Sequence, residues 1–238
     1  MIGSICYDPL IMKFRAILFD AAETLFTTKG SVGEIYGSIA RQYGSNAPTD
    51  AIQAAFARQF RGAGPLTTQD QKQWWKDVVH RVFNEVGMVN NFDQFFDQVY
   101  DRFRDSGGWV LYPETTEVLA ELKQRGLKLG VISNFDDRAY SVMRSLNILQ
   151  FFDSVTLSSE TGYCKPDREI FDAAVRSLGV VAAETLLVGD SLHDDVEAAM
   201  RAGLSAVLID RRNRHGEVKH VTRISSLREL FPLLEPER

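Results

Sequence analysis

Five short apolar runs, separated by segments with helical periodicity, constrain the fold of this chain more than any other feature. The runs lie at 15–19, 129–132, 154–157, 186–188 and 206–209. Each is too short for a typical helix and apolar at successive positions, which is typical of a strand covered on both faces. Helical patterns lie between them, at 114–124, 167–178 and 194–202. This alternation predicts an α/β fold with a five-stranded parallel sheet.

A different kind of segment interrupts this pattern after the first strand. From about residue 31 to 106 the apolar residues keep helical spacing in four stretches, without a strand pattern. Four amphipathic helices in a row predict a helical bundle, and we expect its many aromatic residues to form its core. The predicted organisation is a Rossmann-like core formed by 1–29 and 107–238, with an all-α four-helix cap domain at 30–106.

Charge and cysteine content exclude several classes of protein. The chain has 238 residues, with 27 basic and 32 acidic side chains, so it lacks the overall basic character of a nucleic-acid-binding protein. Two cysteines, Cys6 and Cys164, argue against a disulfide-stapled secreted domain and indicate a reducing, cytoplasmic location. No stretch approaches the roughly 20 apolar residues of a membrane helix. Met12 offers a second start, which leaves open whether residues 1–11 belong to the native protein.

Polar residues follow the predicted strands. Asp20 ends the first strand, Ser133 and Asn134 the second, and Asp190 the fourth, while Lys165 lies in the loop that follows the third. Ligands of open parallel sheets bind at the carboxyl ends of the strands, so we expect these side chains to converge.

The chemistry of this set indicates a phosphoryl-transfer site. Neighbouring carboxylates repel unless a cation lies among them, and an oxygen-rich site with open positions suits Mg²⁺. Asp20 can act as a carboxylate nucleophile. Lys165 would hold a phosphoryl group as a point charge, and Ser133 and Asn134 would donate hydrogen bonds to its oxygens.

Four motifs in order carry a family resemblance. They are FDAAETL at 19–25, VISN at 131–134, CKPD at 164–167 and VGDSLHDD at 188–195. Together they resemble the haloacid dehalogenase-like (HAD) hydrolase superfamily, in the branch with a helical cap after the first strand. The loop and the following GSVGEIY at 30–36 also resemble a branch whose loop reads FDAVGTLF and lacks a second aspartate.

The resemblance implies a role for each matching residue. Asp20 would be the nucleophile and a Mg²⁺ ligand, with the Ala22 carbonyl and Asp190 as further ligands. Asp195, with Asp194 as the alternative, would support the metal site by orienting a bound water or Lys165. Ser133 and Lys165 complete the catalytic set. Thr24, Asn134 and, from the cap, Trp74 are expected on the substrate side.

Ala22 departs from the phosphatases of this superfamily, which carry an aspartate there that protonates the leaving group. Alanine transfers no proton, and losing a positioned acid typically costs about 10²–10⁴ in rate. We interpret the chain as a Mg²⁺-dependent phosphatase of a small phosphorylated metabolite, weakened or specialised by Ala22. Such an enzyme could use Glu23, a cap residue or an acidic leaving group.

Two alternatives stay open. One is a catalytically silent regulatory protein with the same fold. The other is cleavage of a carbon–phosphorus bond, as in the phosphonoacetaldehyde hydrolases, which need a cap lysine; Lys72 and Lys76 are candidates, although a solvated helix face is their expected place. We also expect His193, His215 and His220 in solvated loops, and Cys164 to be inert. The substrate's identity and the oligomeric state stay undetermined.

Overall fold

Strands and helices alternate along most of the chain in the computed structural model, which describes residues 13–66, 70–216, 218 and 220–235. Cys6 and the start at Met12 lie outside this part. Within it the strands are β1 (Ala16–Phe19), β2 (Phe26–Thr28), β3 (Trp109–Leu111), β4 (Lys128–Ser133), β5 (Ser154–Leu157), β6 (Thr185–Gly189), β7 (Ser205–Ile209) and β8 (Thr222–Ile224).

The α-helices of the same residues are α1 (Val32–Ala40), α2 (Thr49–Arg61), α3 (Gln71–Val86), α4 (Phe92–Arg102), α5 (Thr115–Gln124), α6 (Arg138–Ser145), α7 (Ser158–Thr161), α8 (Arg168–Leu178), α9 (Ala198–Arg201) and α10 (Leu230–Leu234). A helical segment with wider turns, Leu192–Glu197, leads directly into α9. None of the helices in the described ranges is both long and apolar enough to cross a membrane.

The main sheet is parallel throughout and has the strand order β5-β4-β1-β6-β7-β8. It therefore contains six strands. The predicted five-stranded sheet lacked the edge strand β8. That strand escaped the sequence pattern because it is three residues long and two of them, Thr222 and Arg223, are exposed.

The central strand β1 is covered on both faces. Ala16 and Leu18 pack in one apolar cluster with α8 and the helix around Ala198, whereas Ile17 and Phe19 pack in the other with α5 and α6. The chain runs outward from β1 through β4 to β5 and then restarts beside β1 at β6. The carboxyl ends of β1 and β6 thus form the switch point of the sheet, where α/β folds bind ligands.

Helices α1 to α4 occupy the segment for which four helices were predicted. The first begins with a capping box, in which Ser31 accepts from the Glu34 amide and Glu34 accepts from the Ser31 amide. Gly33 lets α1 approach α2, since a Cβ at this position would lie 2.1 Å from the Thr49 carbonyl oxygen. The sequence pattern missed β2 and β3, which pair antiparallel where the chain enters and leaves this segment.

Candidate active site

A lysine bridges two carboxylates at the carboxyl ends of β1 and β6. The Lys165 Nζ donates to Asp20 Oδ1 at 2.6 Å and to Asp195 Oδ1 at 2.5 Å, and all three side chains are buried. Burial alone would lower the pKa of Lys165, but the charges of Asp195 and Asp20 outweigh it and raise that pKa above its usual value. The ammonium is therefore fixed in its charged form beside Asp20.

Two residues at the end of β4 complete the surroundings of this lysine. The Ser133 hydroxyl donates to Asp20 Oδ1 at 3.4 Å. The Asn134 side chain donates to the Lys165 carbonyl at 2.9 Å and accepts from the Lys165 amide at 2.7 Å. Asn134 thus holds the backbone of the lysine loop. Its side-chain amide, which was predicted to bind a substrate, is already engaged in these two hydrogen bonds.

Asp195 approaches the lysine over a glycine. Its second oxygen accepts from the Ser191 amide at 3.0 Å, so both oxygens have a donor. A Cβ at Gly189 would lie 2.4 Å from the Asp195 Cγ, closer than real Cβ contacts come. Burial raises the pKa of Asp195 to about 6, against the opposing charge of Lys165.

The third carboxylate, Asp190, lacks such donors. Oxygens of Asp20, Asp190 and Asp195 lie within 4.8 Å of one another, yet no group in the described part of the chain donates a hydrogen bond to the Asp190 side chain. Burial, together with the negative charges of Asp20 and Asp195, raises the pKa of Asp190 to about 8. Three carboxylates face one ammonium, which leaves two negative charges without a partner when all are ionised.

Arg211, a partly buried arginine, anchors the loop that follows Asp20. Arg211 donates to the Thr24 carbonyl and to Glu114, both at 2.7 Å, and its guanidinium lies 3.5 Å from the centre of the Tyr112 ring. The Thr24 side chain is fully buried and its hydroxyl finds no partner among the described residues. Thr24 therefore belongs to the interior of the loop, and its predicted place on the substrate side stays a prediction.

A cavity of about 830 Å³ lies between the helical segment and the sheet, and Ala22 and Glu23 form part of its wall. Nine aromatic side chains line it, among them Phe56, Phe60 and Trp75. The aromatic residues were expected to form the core of the helices; some do, such as Phe83 and Phe95, but others face this space. The expectation of a purely structural aromatic stripe was therefore wrong in part.

A family model described as haloacid dehalogenase-like hydrolase matches residues 14–203. The chain belongs to this family. It is 30% identical over 207 residues to the mouse haloacid dehalogenase-like hydrolase domain-containing protein 3, covering 83% of this chain and 82% of that protein. It is 28% identical to the glyceraldehyde 3-phosphate phosphatase of Methanothermobacter thermautotrophicus, covering 87% and 90%.

Solved structures of HAD proteins share the fold. A HAD phosphatase from Thermococcus onnurineus superposes with a TM-score of 0.67 at 24% identity, covering 94% of this chain and all of that chain. The L-2-haloacid dehalogenase of Xanthobacter autotrophicus superposes with a TM-score of 0.72 at 19% identity, covering 91% and 96%. At these identities the likeness concerns the fold and leaves the reaction open.

The HAD fold brings together Asp20, Ser133, Lys165, Asp190 and Asp195, as the motif order suggested. Asp194 stays outside, with its side chain 47% exposed and paired with His193. In the helical segment the cavity is lined by Trp75, and the neighbouring Trp74 is not among the lining residues.

The lysines of the helical segment are not among the described residues that line the cavity. Lys72 pairs with Asp97 at 2.7 Å and Lys76 with Asp93 at 2.8 Å, and no lysine lines the cavity in the described part of the chain. The expectation that His215 is solvated was wrong, because this half-buried ring makes a 3.0 Å contact through Nε2 with the Asp190 carbonyl. That contact joins residues 25 positions apart, so local sequence carried no signal for it.

A buried ion pair after β4 contacts the helical segment through a bond to Trp75 that had no sequence signal. Asp136, fully buried, accepts from Arg138 Nη2 at 2.6 Å and from the Trp75 indole at 2.6 Å. The Arg138 guanidinium lies 4.0 Å from the centre of the Tyr100 ring. Trp75 and Tyr100 both line the cavity, so this pair fixes part of its wall.

Proposed function

We propose that this HAD hydrolase is a Mg²⁺-dependent phosphomonoesterase that forms an aspartyl-phosphate on Asp20. The observation that carries the proposal is the Lys165 bridge, which fixes Asp20 through one oxygen beside Asp190, a carboxylate that accepts no hydrogen bond from the described residues. Phosphoryl transfer depends mainly on positioning and on charge stabilisation, and both are supplied by a rigid strand end with a fixed ammonium.

The chain's own residues divide the work. With its Oδ1 held by Lys165 and Ser133, Asp20 keeps its other carboxylate oxygen for attack on phosphorus. Lys165 offsets the negative charge that the phosphoryl oxygens bring to the strand ends. Asp195 keeps the ammonium in place through a second charged hydrogen bond, and Asn134 fixes the backbone of the same loop.

The residues present fit a divalent cation. Two negative charges lack a counter-charge in the described ranges, and no group there donates to the Asp190 side chain. Both features favour Mg²⁺, which Asp20, Asp190 and the Ala22 carbonyl would hold. When bound, Mg²⁺ supplies positive charge against the phosphoryl oxygens and the carboxylates. Because both Asp195 oxygens already accept hydrogen bonds, we assign Asp195 to orienting Lys165 rather than to direct ligation.

Two rival functions are weighed by specific observations. Cleavage of a carbon–phosphorus bond through a lysine imine is disfavoured, because no lysine lines the cavity in the described residues. A silent binding protein is favoured by Ala22, which offers no acid. A small phosphorylated metabolite, with glyceraldehyde 3-phosphate as the relative's example, is the class of substrate we propose. The domain boundaries at 29/30 and 106/107 and a cytoplasmic location stay predictions.

Phosphate release tests the proposal. We expect Mg²⁺-dependent release from a panel of phosphomonoesters that includes glyceraldehyde 3-phosphate, and its loss in Asp20→Asn. Asp194→Asn is the matched control, since this neighbouring carboxylate lies outside the cluster and should keep full turnover. Unchanged turnover in Asp20→Asn would remove the nucleophile. No release from any substrate, with Mg²⁺ still bound, would favour a binding protein.

A further inference from the structure

The described residues that line the cavity offer no efficient proton donor. Among them the titratable side chains are one carboxylate, Glu23, two tyrosines, and four arginines, which do not lose their protons in proteins. Burial is the main cause that raises the pKa of both Tyr36 and Tyr100, so each holds its proton more tightly than an ordinary phenol.

Both carboxylate oxygens of Glu23 are already engaged by neighbouring side chains. Its Oε1 accepts from the Thr27 hydroxyl at 2.6 Å. Its Oε2 accepts from the Tyr112 hydroxyl at 3.3 Å and lies 3.3 Å from the Arg212 guanidinium. Every partner of this carboxylate is a donor, so both oxygens are engaged as acceptors. The loop therefore does not replace the acid that Ala22 lacks.

Ala22 and Glu23, two and three positions after Asp20, place the cavity beside the nucleophile loop. Because no described residue of its lining is placed to protonate a leaving group, a group that lies in this cavity departs as its own oxyanion. Without a positioned acid, an alkyl phosphate would expel an alkoxide, whose conjugate acid has a pKa near that of water, about 16. A phenol has a pKa of about 10, as in tyrosine, so an aryloxide leaves far more readily. The chemistry of the loop selects for an aromatic hydroxyl.

The walls of the cavity suit the same kind of molecule. The rings of Phe56, Phe60 and Trp75 lie nearly parallel, with centroids 5.5 and 5.6 Å apart and interplanar angles of 17° and 21°. Phe60 keeps 43% of its surface exposed, although it is a large apolar residue. A volume of about 830 Å³ lies within the roughly 300–1,000 Å³ of pockets for drug-sized ligands and exceeds what a triose phosphate fills.

We propose that the substrate is an aryl phosphate, an aromatic hydroxyl esterified with phosphate, whose flat apolar body lies against these rings. This inference rests on the proposed phosphatase function of the same site. An Asp20 oxygen bonds to phosphorus while the bond from phosphorus to the aryl oxygen breaks, and the aryloxide leaves with the electron pair. Water then adds to the aspartyl-phosphate, which releases inorganic phosphate and restores the carboxylate; the proton from water ends on phosphate or on the released aryloxide.

Two isomeric substrates test the leaving-group argument at constant size and composition. In 4-propylphenyl phosphate the phosphate is on a phenol, and in 3-phenylpropyl phosphate it is on an alcohol. We expect kcat/KM to favour the aryl isomer by about 10² or more, because only the alkyl isomer needs the missing acid. Ala22→Asp should raise kcat/KM of the alkyl isomer at least tenfold more than that of the aryl isomer.

A cap variant tests the binding of the apolar body. Phe60→Ala should raise KM for 4-propylphenyl phosphate several-fold and change kcat little, because the lost contact lies away from the phosphorus. Met88→Ala is the control, since Met88 is equally exposed at 45% but does not line the cavity. An unchanged KM in Phe60→Ala would overturn the assignment of the aryl body to these rings.

The outcomes separate the two proposals. Isomers hydrolysed within tenfold of each other, or glyceraldehyde 3-phosphate preferred over both, would overturn the aryl phosphate inference and keep the phosphatase. Phosphate release from none of the three, with Mg²⁺ present, would overturn the phosphatase function and this inference with it.

Discussion

Removing the carboxylate of Asp136 should destabilise the protein strongly. This side chain is fully buried and accepts from the Arg138 guanidinium, the Arg138 amide and the Trp75 indole. In Asp136→Ala the guanidinium would remain buried without its counter-ion. Breaking a buried pair in this way costs about 3–5 kcal/mol. For a chain of this size that corresponds to a fall in Tm of roughly 6–20 °C.

Two variants isolate the cause. Asp137→Ala removes a neighbouring carboxylate that is exposed and whose side chain has no hydrogen-bond donor among the described residues, and it should change the unfolding free energy by less than about 0.5 kcal/mol. The double variant Asp136→Leu with Arg138→Met replaces both charges by apolar groups, so it should lose much less than Asp136→Ala.

Urea denaturation followed by tryptophan fluorescence measures these differences. A loss below about 1 kcal/mol in Asp136→Ala, or a double variant as unstable as the single one, would refute the view that an uncompensated buried charge dominates. In the first case water reaches Arg138 from the cavity and solvates it. In the second case the loss of stability comes from disturbed packing of Trp75 and Tyr100 rather than from an uncompensated charge.

Three further outcomes follow from the candidate site. Gly189→Ala should displace Asp195 from Lys165, lower the unfolding free energy by about 1–3 kcal/mol and abolish phosphate release. Gly62→Ala is the control, because a Cβ there would lie 3.6 Å from its nearest neighbour, and it should change neither stability nor phosphate release. Mg²⁺ affinity measured by calorimetry should rise about tenfold per pH unit towards pH 8 and then level off, because the cation displaces the proton that Asp190 holds; a flat profile would contradict its role as a ligand. Without Mg²⁺, the unfolding free energy measured in urea should fall as the pH rises from about 4 to about 8. The raised pKa of Asp190 means that the folded state holds a proton in this range that the unfolded state has lost, so a rise in stability would contradict the shift.

The strand ends were predictable because their position does not depend on the rest of the fold. Any parallel sheet collects the carboxyl ends of its strands at one edge, so Asp20, Ser133 and Asp190 meet there whatever the helices do. The approach of Lys165 to Asp195 depends on the missing Cβ of Gly189, a distance that spacing alone does not encode.

Sequence reasoning was weakest where two segments meet. Trp74 and Trp75 differ by about 100° around α3, and which of them faces the cavity depends on how that helix lies against the sheet. Periodicity assigns Trp75 to the apolar face of the helix, but it does not show that this face is shared between the core and a cavity. The Asp136 to Trp75 bond spans 61 positions, so no local pattern could predict it.

The place of β1 in the sheet has a consequence for biosynthesis. Both neighbours of this central strand come late in the chain, since Ala16 pairs with Lys128 on one side and with Thr185 on the other. On the ribosome helices α1 to α4, whose contacts are local, can form long before β1 has any partner. Pairing across such separations is slow, so the apolar strand that leads to Asp20 stays unprotected until most of the chain has been made.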